Sequence, residues 1–380
     1  MLAKFHPLNC IIPPHMLREI AERGSLAQRQ QAIRTLQKTD QFRDQRLAFA
    51  KAIEASMPGA SAGKQRMVYD AQQGTSLPGR LARREGEPAG SDVAVNEAFG
   101  GSGATYDLYC DVYGRDSIDG QGMRLDSTVH YQKGYDNAFW NGQQMVYGDG
   151  DEDLPPDQRL FNRFTSAIDV IGHELTHGVT QYEANLIYAN QSGALNETIS
   201  DIFGSLVKQR QLQQTAGEAD WIIGQGLFSP NVKGQGIRSM KAPGTAYDDP
   251  VLGKDPQPAH MKDYQNVSYD NGGVHINSGI PNHAFYVMAV EMGGYAWEKA
   301  GQIWYATLRN KLGATSQFQD AARLTIETAG ELFGTGSFEQ QAVRKGWAEV
   351  GISSDTGSQN PGCLAALFSL LRLTGLKKTT

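Results

Sequence analysis

The sequence predicts an α+β protein, β-rich in its first half and mainly helical in its second, preceded by a short helical arm. Three observations carry this expectation. From about residue 65 to 160 the chain is rich in Gly, Asp, Tyr and Val, and its short alternating runs "RMVYDA", "STVHYQ" and "QMVYGDG" fit strands with one buried face. From about 165 the apolar period lengthens. The stretches "TSAIDVIGHELTHGVTQYE", "ALNETISDIFGSLVKQRQ", "PNHAFYVMAVEMGG", "AWEKAGQIWYATLRNKL", "FQDAARLTIETAGELFG" and "FEQQAVRKGWAEVG" each support several helical turns. Near the start, "HMLREIAERGSLAQRQQAIRTLQ" has apolar residues at helical spacing, broken at Gly24-Ser25, and reads as two short amphipathic helices.

The arm differs from the rest in charge. Residues 1–50 hold eight Lys/Arg against four Asp/Glu, a balance of +4, so with a whole-chain charge of −6 the remainder stands at −10. A Gly/Ala/Ser/Pro-rich linker or processing region follows at 51–64, then a β-rich region at 65–186, a helical region at 187–353 and a tail at 354–380. With 380 residues the chain is long enough for two domains and a sizeable core. Cys10, Cys110 and Cys363 are too few and too scattered for a disulfide framework. The acidic balance and the lack of long basic runs argue against nucleic acid as a partner. The tail's "CLAALFSLLRLTGL" is too short to span a bilayer, and the first ten residues lack the apolar stretch of a secretory leader.

The chemistry is concentrated in "HELTH". His173 and His177, at i and i+4, share one helix face with Cβ atoms about 5–6 Å apart, which suits two imidazoles converging on one zinc ion. Glu174 lies at the edge of that face, placed to take a proton from water without being a ligand itself. The pattern would arise by chance in roughly one chain of this length in a hundred, so it needs support. A third ligand is available in Glu197, within "NETISD" on the following helix. Asp201, one turn on, can accept the other ring N–H of a ligating histidine and fix its tautomer.

The stretches "NAFWNGQQMVYGDGD" (137–151), "HELTHGVTQYEANLIYANQSGALNETISDIFG" (173–204) and "DNGGVHINSGIPNHAFY" (270–286) occur in the order found in the thermolysin-like zinc metallopeptidases, which the chain resembles from about 65 to 353. The short front segment with "CIIPPH" is similar to the protealysin branch, whose precursors carry a small propeptide. The resemblance implies a zinc site in the cleft between the two subdomains and a zinc-dependent neutral endopeptidase made as an autoinhibited precursor, secreted without a recognisable signal peptide; the alternative location is cytoplasmic. It implies protein or peptide substrates, with the chain's own propeptide as a partner in cis. It also implies that Glu174 is the base, that His275 and Tyr188 donate to the developing oxyanion, and that Asp270 orients His275. Asn137 and the Ala138 carbonyl then hold substrate main chain. Phe161, Val170 and Ile237, with Arg238 at the rim, form a pocket favouring a bulky hydrophobic residue after the cut.

Departures from the family pattern matter too. Lys208 stands where the paired calcium site would have a glutamate, so that site is expected to be absent, with Lys208 pairing with Asp169 and Asp220. The acidic run "GDGDED" (148–153) is expected to be a solvated turn. In the arm, Cys10, Ile11, Ile12, Pro13 and Pro14 are expected in or beside the cleft, held extended by the prolines. Either the Cys10 sulfur fills the metal's open position, or the isoleucine-proline stretch blocks the cleft without touching metal. The rival reading is an inactive zinc-binding scaffold or adhesin, which loss of Glu174 or His275 would favour. Both residues are present.

Overall fold

The arm supplies the first three elements, a short strand β1 (Asn9–Cys10) and helices α1 (Pro14–Arg23) and α2 (Leu26–Ile53). The structure is a computed structural model and describes residues 9–53 and 63–353. Helix α1 buries Met16, Leu17 and Ile20, the stripe that the helical spacing foretells. Pro13 is extended, but Pro14 is the first helical residue rather than part of the extended segment. At that position proline's missing N–H costs nothing, because the first turn has no intrahelical acceptor for it. The break between the helices is closed by reciprocal hydrogen bonds. Ser25 N–H donates to Gln28 Oε1 (2.7 Å) and Gln28 N–H to Ser25 Oγ (3.4 Å), a capping box. Helix α2 continues to Ile53, into the expected linker, most of which lies outside the described residues, as does the 354–380 tail.

The β-rich region contributes β2 (Arg66–Asp70), β3 (Arg80–Arg84), β4 (Leu125–Val129), β5 (Ala138–Trp140) and β6 (Met145–Tyr147), with α3 (Val93–Asp107) between β3 and β4. Together with β1 they form a six-stranded sheet in the order β1-β5-β6-β4-β2-β3. The β2/β4 and β4/β6 pairs are parallel and the rest antiparallel. Without the arm, β5 would be an unpaired edge; β1 covers it, Asn9 facing Trp140 and Cys10 facing Phe139. Helix α3 was not foreseen, since Gly100, Gly101 and Gly103 lower its intrinsic propensity. Packing decides here. A Cβ on Gly101 would meet Ile171 at 2.4 Å and one on Gly103 would meet Arg66 at 2.2 Å, so the glycines are what let neighbours approach.

The acidic run 148–153 is not a solvated turn throughout. Asp151 is 1% exposed, and its Oδ2 accepts the N–H groups of Leu160 (2.8 Å) and Phe161 (3.0 Å), which pins the loop leading to Phe161.

Helices α4 (Ile168–Tyr182) and α5 (Asn190–Leu212) pack against each other at the centre of the molecule. They come close at Gly172 and Gly204, where a Cβ on Gly172 would lie 3.1 Å from Gly204 Cα. Beyond them come the hairpins β7 (Ile222–Ile223)/β8 (Arg238–Ser239) and β9 (Asp248–Asp249)/β10 (Gly253–Lys254). The last five helices are α6 (Asp270–Asn277), α7 (Gly279–Met292), α8 (Lys299–Asn310), α9 (Phe318–Phe333) and α10 (Phe338–Glu349). They correspond to the helical runs expected from the sequence, with α6 in addition. Among the described residues no helix is long and apolar enough to cross a membrane.

Candidate active site and metal centre

The two histidines come from α4, whose residues 169 to 180 are all buried, and Glu197 comes from the second turn of α5. The Gly172/Gly204 contact brings the helix axes close enough for short side chains to meet. One ligand atom from each of His173, His177 and Glu197 lies within 4.8 Å of the others. His173 Nδ1 is 2.8 Å from Asp201 Oδ1, and His177 Nδ1 is 2.8 Å from Asn196 Oδ1. Both partners are acceptors, which puts the ring proton on Nδ1 and leaves each Nε2 as a lone pair.

Those two Nε2 atoms face each other at 3.0 Å, with Glu197 oxygens 3.5 Å and 3.4 Å away. Glu197 Oε2 is buried and has no hydrogen-bond partner. Two imidazole lone pairs and a carboxylate converging in a buried space make a donor set for a cation, and the N/N/O chemistry fits zinc with a position left open.

Asp201 is saturated. Besides His173 it accepts from Arg238 Nε (2.8 Å), a terminal Arg238 nitrogen (2.7 Å) and Asn282 Nδ2 (2.8 Å). Burial alone would raise its pKa, but Arg238 and His173 reverse this and hold it below the usual carboxylate range. Glu174, beside the ligands, accepts the Trp140 N–H at 3.1 Å through Oε2.

Facing α4 and α5 is α6, which starts with four consecutive residues in the left-handed region, Asp270 (φ 53°), Asn271 (φ 50°), Gly272 (φ 85°) and Gly273 (φ 78°). Glycine is needed at 272, where a Cβ would lie 2.2 Å from Asn190 Oδ1. This turn brings the Asp270 carboxylate back onto His275, accepting from its backbone N–H (2.9 Å) and lying 2.6 Å from Nδ1. Burial opposes a charge on His275, but Asp270 and Glu197 overcome it and push the pKa up to about 9. Its Nε2, on the far side of the ring from Asp270, faces into the site. Tyr188 donates its hydroxyl to Glu197 Oε1 and stands 3.2 Å from His275 Nε2.

The arm fills this site. Ile11 N–H donates to Ala138 O (3.3 Å), and Ile12 N–H to Asn137 Oδ1 (3.0 Å). In return Asn137 Nδ2 reaches Ile12 O (3.4 Å) and Arg238 reaches Ile11 O (3.3 Å). The Cys10 carbonyl lies 3.1 Å from His275 Nε2. The Cys10 side chain instead packs with Tyr131, Tyr135, Phe139 and Val146, and its sulfur does not belong to the ligand cluster. Ile11 is fully buried. What remains beside the arm is a cavity of about 70 Å³ lined in part by Cys10, Ile12, Tyr188 and His275. That is far below the roughly 300–1,000 Å³ of a site able to take a ligand.

The structure thus sets His173, His177, Glu197 and Asp201 in one cluster with Tyr188, His275 and Asp270 next to it, and Asn137, Ala138 and Arg238 on the arm's main chain. It adds some that were not foreseen: Asn196 and Ser200 (3.0 Å) on His177 Nδ1, Asn282 on Asp201, the Trp140 N–H on Glu174, and His15, whose Nε2 is 3.3 Å from the Tyr247 hydroxyl. A signal for two of them existed, because Asn196 and Ser200 repeat at i, i+4 beside Glu197 and Asp201.

Comparison with known proteins gives a consistent result. The family model of the thermolysin metallopeptidase catalytic domain matches residues 28–181, and that of the thermolysin metallopeptidase alpha-helical domain matches 184–352. An extracellular metalloprotease of Pectobacterium carotovorum subsp. carotovorum is 48% identical over 350 residues, covering 92% of this chain and 98% of that protein. Protease PrtS of a Photorhabdus species is 48% identical over 347 residues, with 90% and 91% covered. Among solved structures, the precursor of protealysin, a metalloproteinase from Serratia proteamaculans, superposes with a TM-score of 0.82 at 52% identity, covering 91% of this chain and 100% of that one.

Proposed function

The chain belongs to the thermolysin metallopeptidase family and is a zinc-dependent metalloprotease, and from that premise we propose that the form described here is its autoinhibited precursor, with residues 1–50 as a propeptide that blocks the substrate groove through Cys10–Ile12. One observation carries this reading: the main chain of Ile11 and Ile12 is bound on both sides by Asn137, Ala138 and Arg238, while the Cys10 carbonyl sits against His275. The thiol's place among aromatic rings supports blockage by the isoleucine-proline stretch over ligation by sulfur. Charge favours docking, +4 on the arm against −10 on the body.

His173, His177 and Glu197 hold the zinc. When bound, it polarises a substrate carbonyl and lowers the pKa of water. Glu174 takes the proton of the attacking water and passes it to the leaving nitrogen. His275 and the Tyr188 hydroxyl donate to the negative charge that develops on the carbonyl oxygen, with Asp270 holding the His275 ring in place. Phe161, Val170 and Ile237 wall an apolar pocket for the residue following the cut. A methylene there is worth only about 1–3 kcal/mol, so Leu, Ile, Phe and Val are all accepted. Lys208 replaces calcium behind the zinc helix, its Nζ 3.2 Å from Asp169, 2.8 Å from Asp220 and 2.7 Å from the Ile222 carbonyl. The Pectobacterium relative carries the name of an extracellular enzyme, and we place this protein outside the cell as well.

The test compares peptide hydrolysis by zinc-loaded full-length protein with that of a chain beginning near residue 51. The full-length protein should be nearly inactive until processed. Equal specific activities without processing would remove the inhibitory role.

A further inference from the structure

The reading of residues 1–50 as an inhibitor in the groove leaves open how the arm is aligned. We propose that it is bound as a substrate, with the Cys10–Ile11 peptide bond in the position of attack, and that the enzyme cuts this bond in its own arm. The alignment follows from which carbonyl goes where. The Ile11 oxygen is taken by Arg238 (3.3 Å) and the Ile12 oxygen by Asn137 (3.4 Å). The Cys10 oxygen lies 3.1 Å from His275 Nε2, an atom that is also 3.2 Å from the Tyr188 hydroxyl and 3.6 Å from the Glu197 carboxylate. It is therefore the arm's carbonyl at the donors that stabilise negative charge on oxygen.

The base lies on the same side. Glu174 accepts the N–H of Trp140, and Trp140 pairs with Asn9, the residue before Cys10. The residue after the bond, Ile11, is apolar and fully buried, in keeping with a preference for a bulky hydrophobic residue after the cut. Shifting the register by one residue would move the Ile11 oxygen off Arg238 and bring Ile12 to the place Ile11 fills.

The reaction is hydrolysis. The oxygen of a water molecule bonds to the Cys10 carbonyl carbon and the C–N bond to Ile11 breaks. Glu174 carries a water proton to the departing Ile11 nitrogen, leaving a Cys10 carboxylate and an Ile11 amine. Residues 1–10 are detached, and the β1 pairing and the His275 contact go with them. The new amine stays in place because α1 is anchored by buried Met16, Leu17 and Ile20, and α2 by Gln28 donating to the Gln158 carbonyl at 2.7 Å. Religation then competes with release, so the cut is slow and loosens the arm before residues 11–50 depart.

Full-length protein loaded with zinc is followed by intact-mass spectrometry together with peptide hydrolysis, beside the Glu174→Gln variant. A species beginning at Ile11 should form at a rate independent of protein concentration, and not at all in Glu174→Gln. A first cut at any other bond between residues 9 and 15, or an arm that stays whole there, overturns the proposal. A second readout needs no turnover. In Glu174→Gln loaded with cobalt(II) and carrying ¹³C at its cysteine carbonyls, one of the three resonances should be strongly shifted or broadened, and Cys10→Ser should remove it. Three unperturbed resonances overturn the alignment. Full activity of the uncut chain overturns the inhibitory reading itself, whereas an inactive chain without an Ile11 terminus overturns only this alignment.

Discussion

The Nε2 atoms of His173 and His177 face each other at 3.0 Å with both ring protons held on the opposite nitrogens by Asp201 and Asn196. Two lone pairs at that distance repel unless a cation lies between them. Removing zinc with a chelator should therefore lower the melting temperature, and zinc should restore it. Glu174→Gln should behave like the parent in this assay and in zinc content, yet lose about two to four orders of magnitude in kcat, because the base acts in the chemical step alone. Zinc-replete Glu174→Gln that still cut peptides at near the parent rate would contradict the assigned role.

The thiol of Cys10 packs among Tyr131, Tyr135 and Phe139, not against the ligands. X-ray absorption of the zinc-loaded precursor should show nitrogen and oxygen neighbours and no sulfur at about 2.3 Å. Cys10→Ser should leave that spectrum unchanged, whereas Ile11→Asp with Ile12→Asp should release activity without processing, by putting carboxylates where both side chains are buried. A zinc–sulfur distance in the spectrum would restore ligation by Cys10.

Lys208 is buried, with two carboxylates and a backbone carbonyl around its Nζ. Burial lowers its pKa, but Asp169 and Asp220 more than compensate, so it stays charged. Thermal stability should be indifferent to selective calcium chelation. Lys208→Ala should cost about 3–5 kcal/mol, since it strands the buried Asp169 without its partner. Chemical denaturation of the two proteins measures the difference, and a large loss of stability on removing calcium alone would refute the replacement.

His15 couples arm docking to pH. Its side chain is half-buried, with Nδ1 shielded from solvent and without a hydrogen-bond partner. Burial pushes its pKa down to about 4; Asp270 opposes this, while His275, Arg238 and Arg18 add to it. A released arm would titrate near the ordinary 6.5, so the docked state is unaffected above that value and is weakened as pH falls from 6.5 toward 4. The weakening should reach roughly twentyfold between pH 7 and pH 5. Buried Asp136, whose N–H donates to Thr35 of α2, has a raised value and acts in the opposite sense, since protonation suits its burial. Hydrogen exchange of α1 amides in a Glu174→Gln background, corrected for intrinsic rates, isolates the His15 contribution as the difference from His15→Asn. Identical pH profiles would show that His15 does not sense pH.

Much of this protein could be read from local pattern. The periodicity of 168–182 and 190–212 set the zinc helices, His173, Glu174 and His177 follow from one turn of helix, and the Gly24-Ser25 break marks where α1 and α2 part. These are short-range facts, fixed by which residues share a face and where a backbone N–H lacks a partner. Helix α3 escaped because its glycines argue against a helix locally and are justified only by the neighbours they admit, Ile171 and Arg66. Asp151 read as part of a solvated turn because nothing in "GDGDED" reveals that its carboxylate is buried beneath the Leu160 and Phe161 amides. The arm shows the division most plainly. Its composition marked a basic segment with an apolar, proline-stiffened stretch, but the sequence left open whether the thiol or the isoleucine-proline stretch would block the site. Pairing of β1 with β5 decided that, because in an antiparallel strand successive side chains alternate between faces: the register that buries Ile11 turns the Cys10 side chain toward Tyr131 and Tyr135 and leaves its carbonyl at His275.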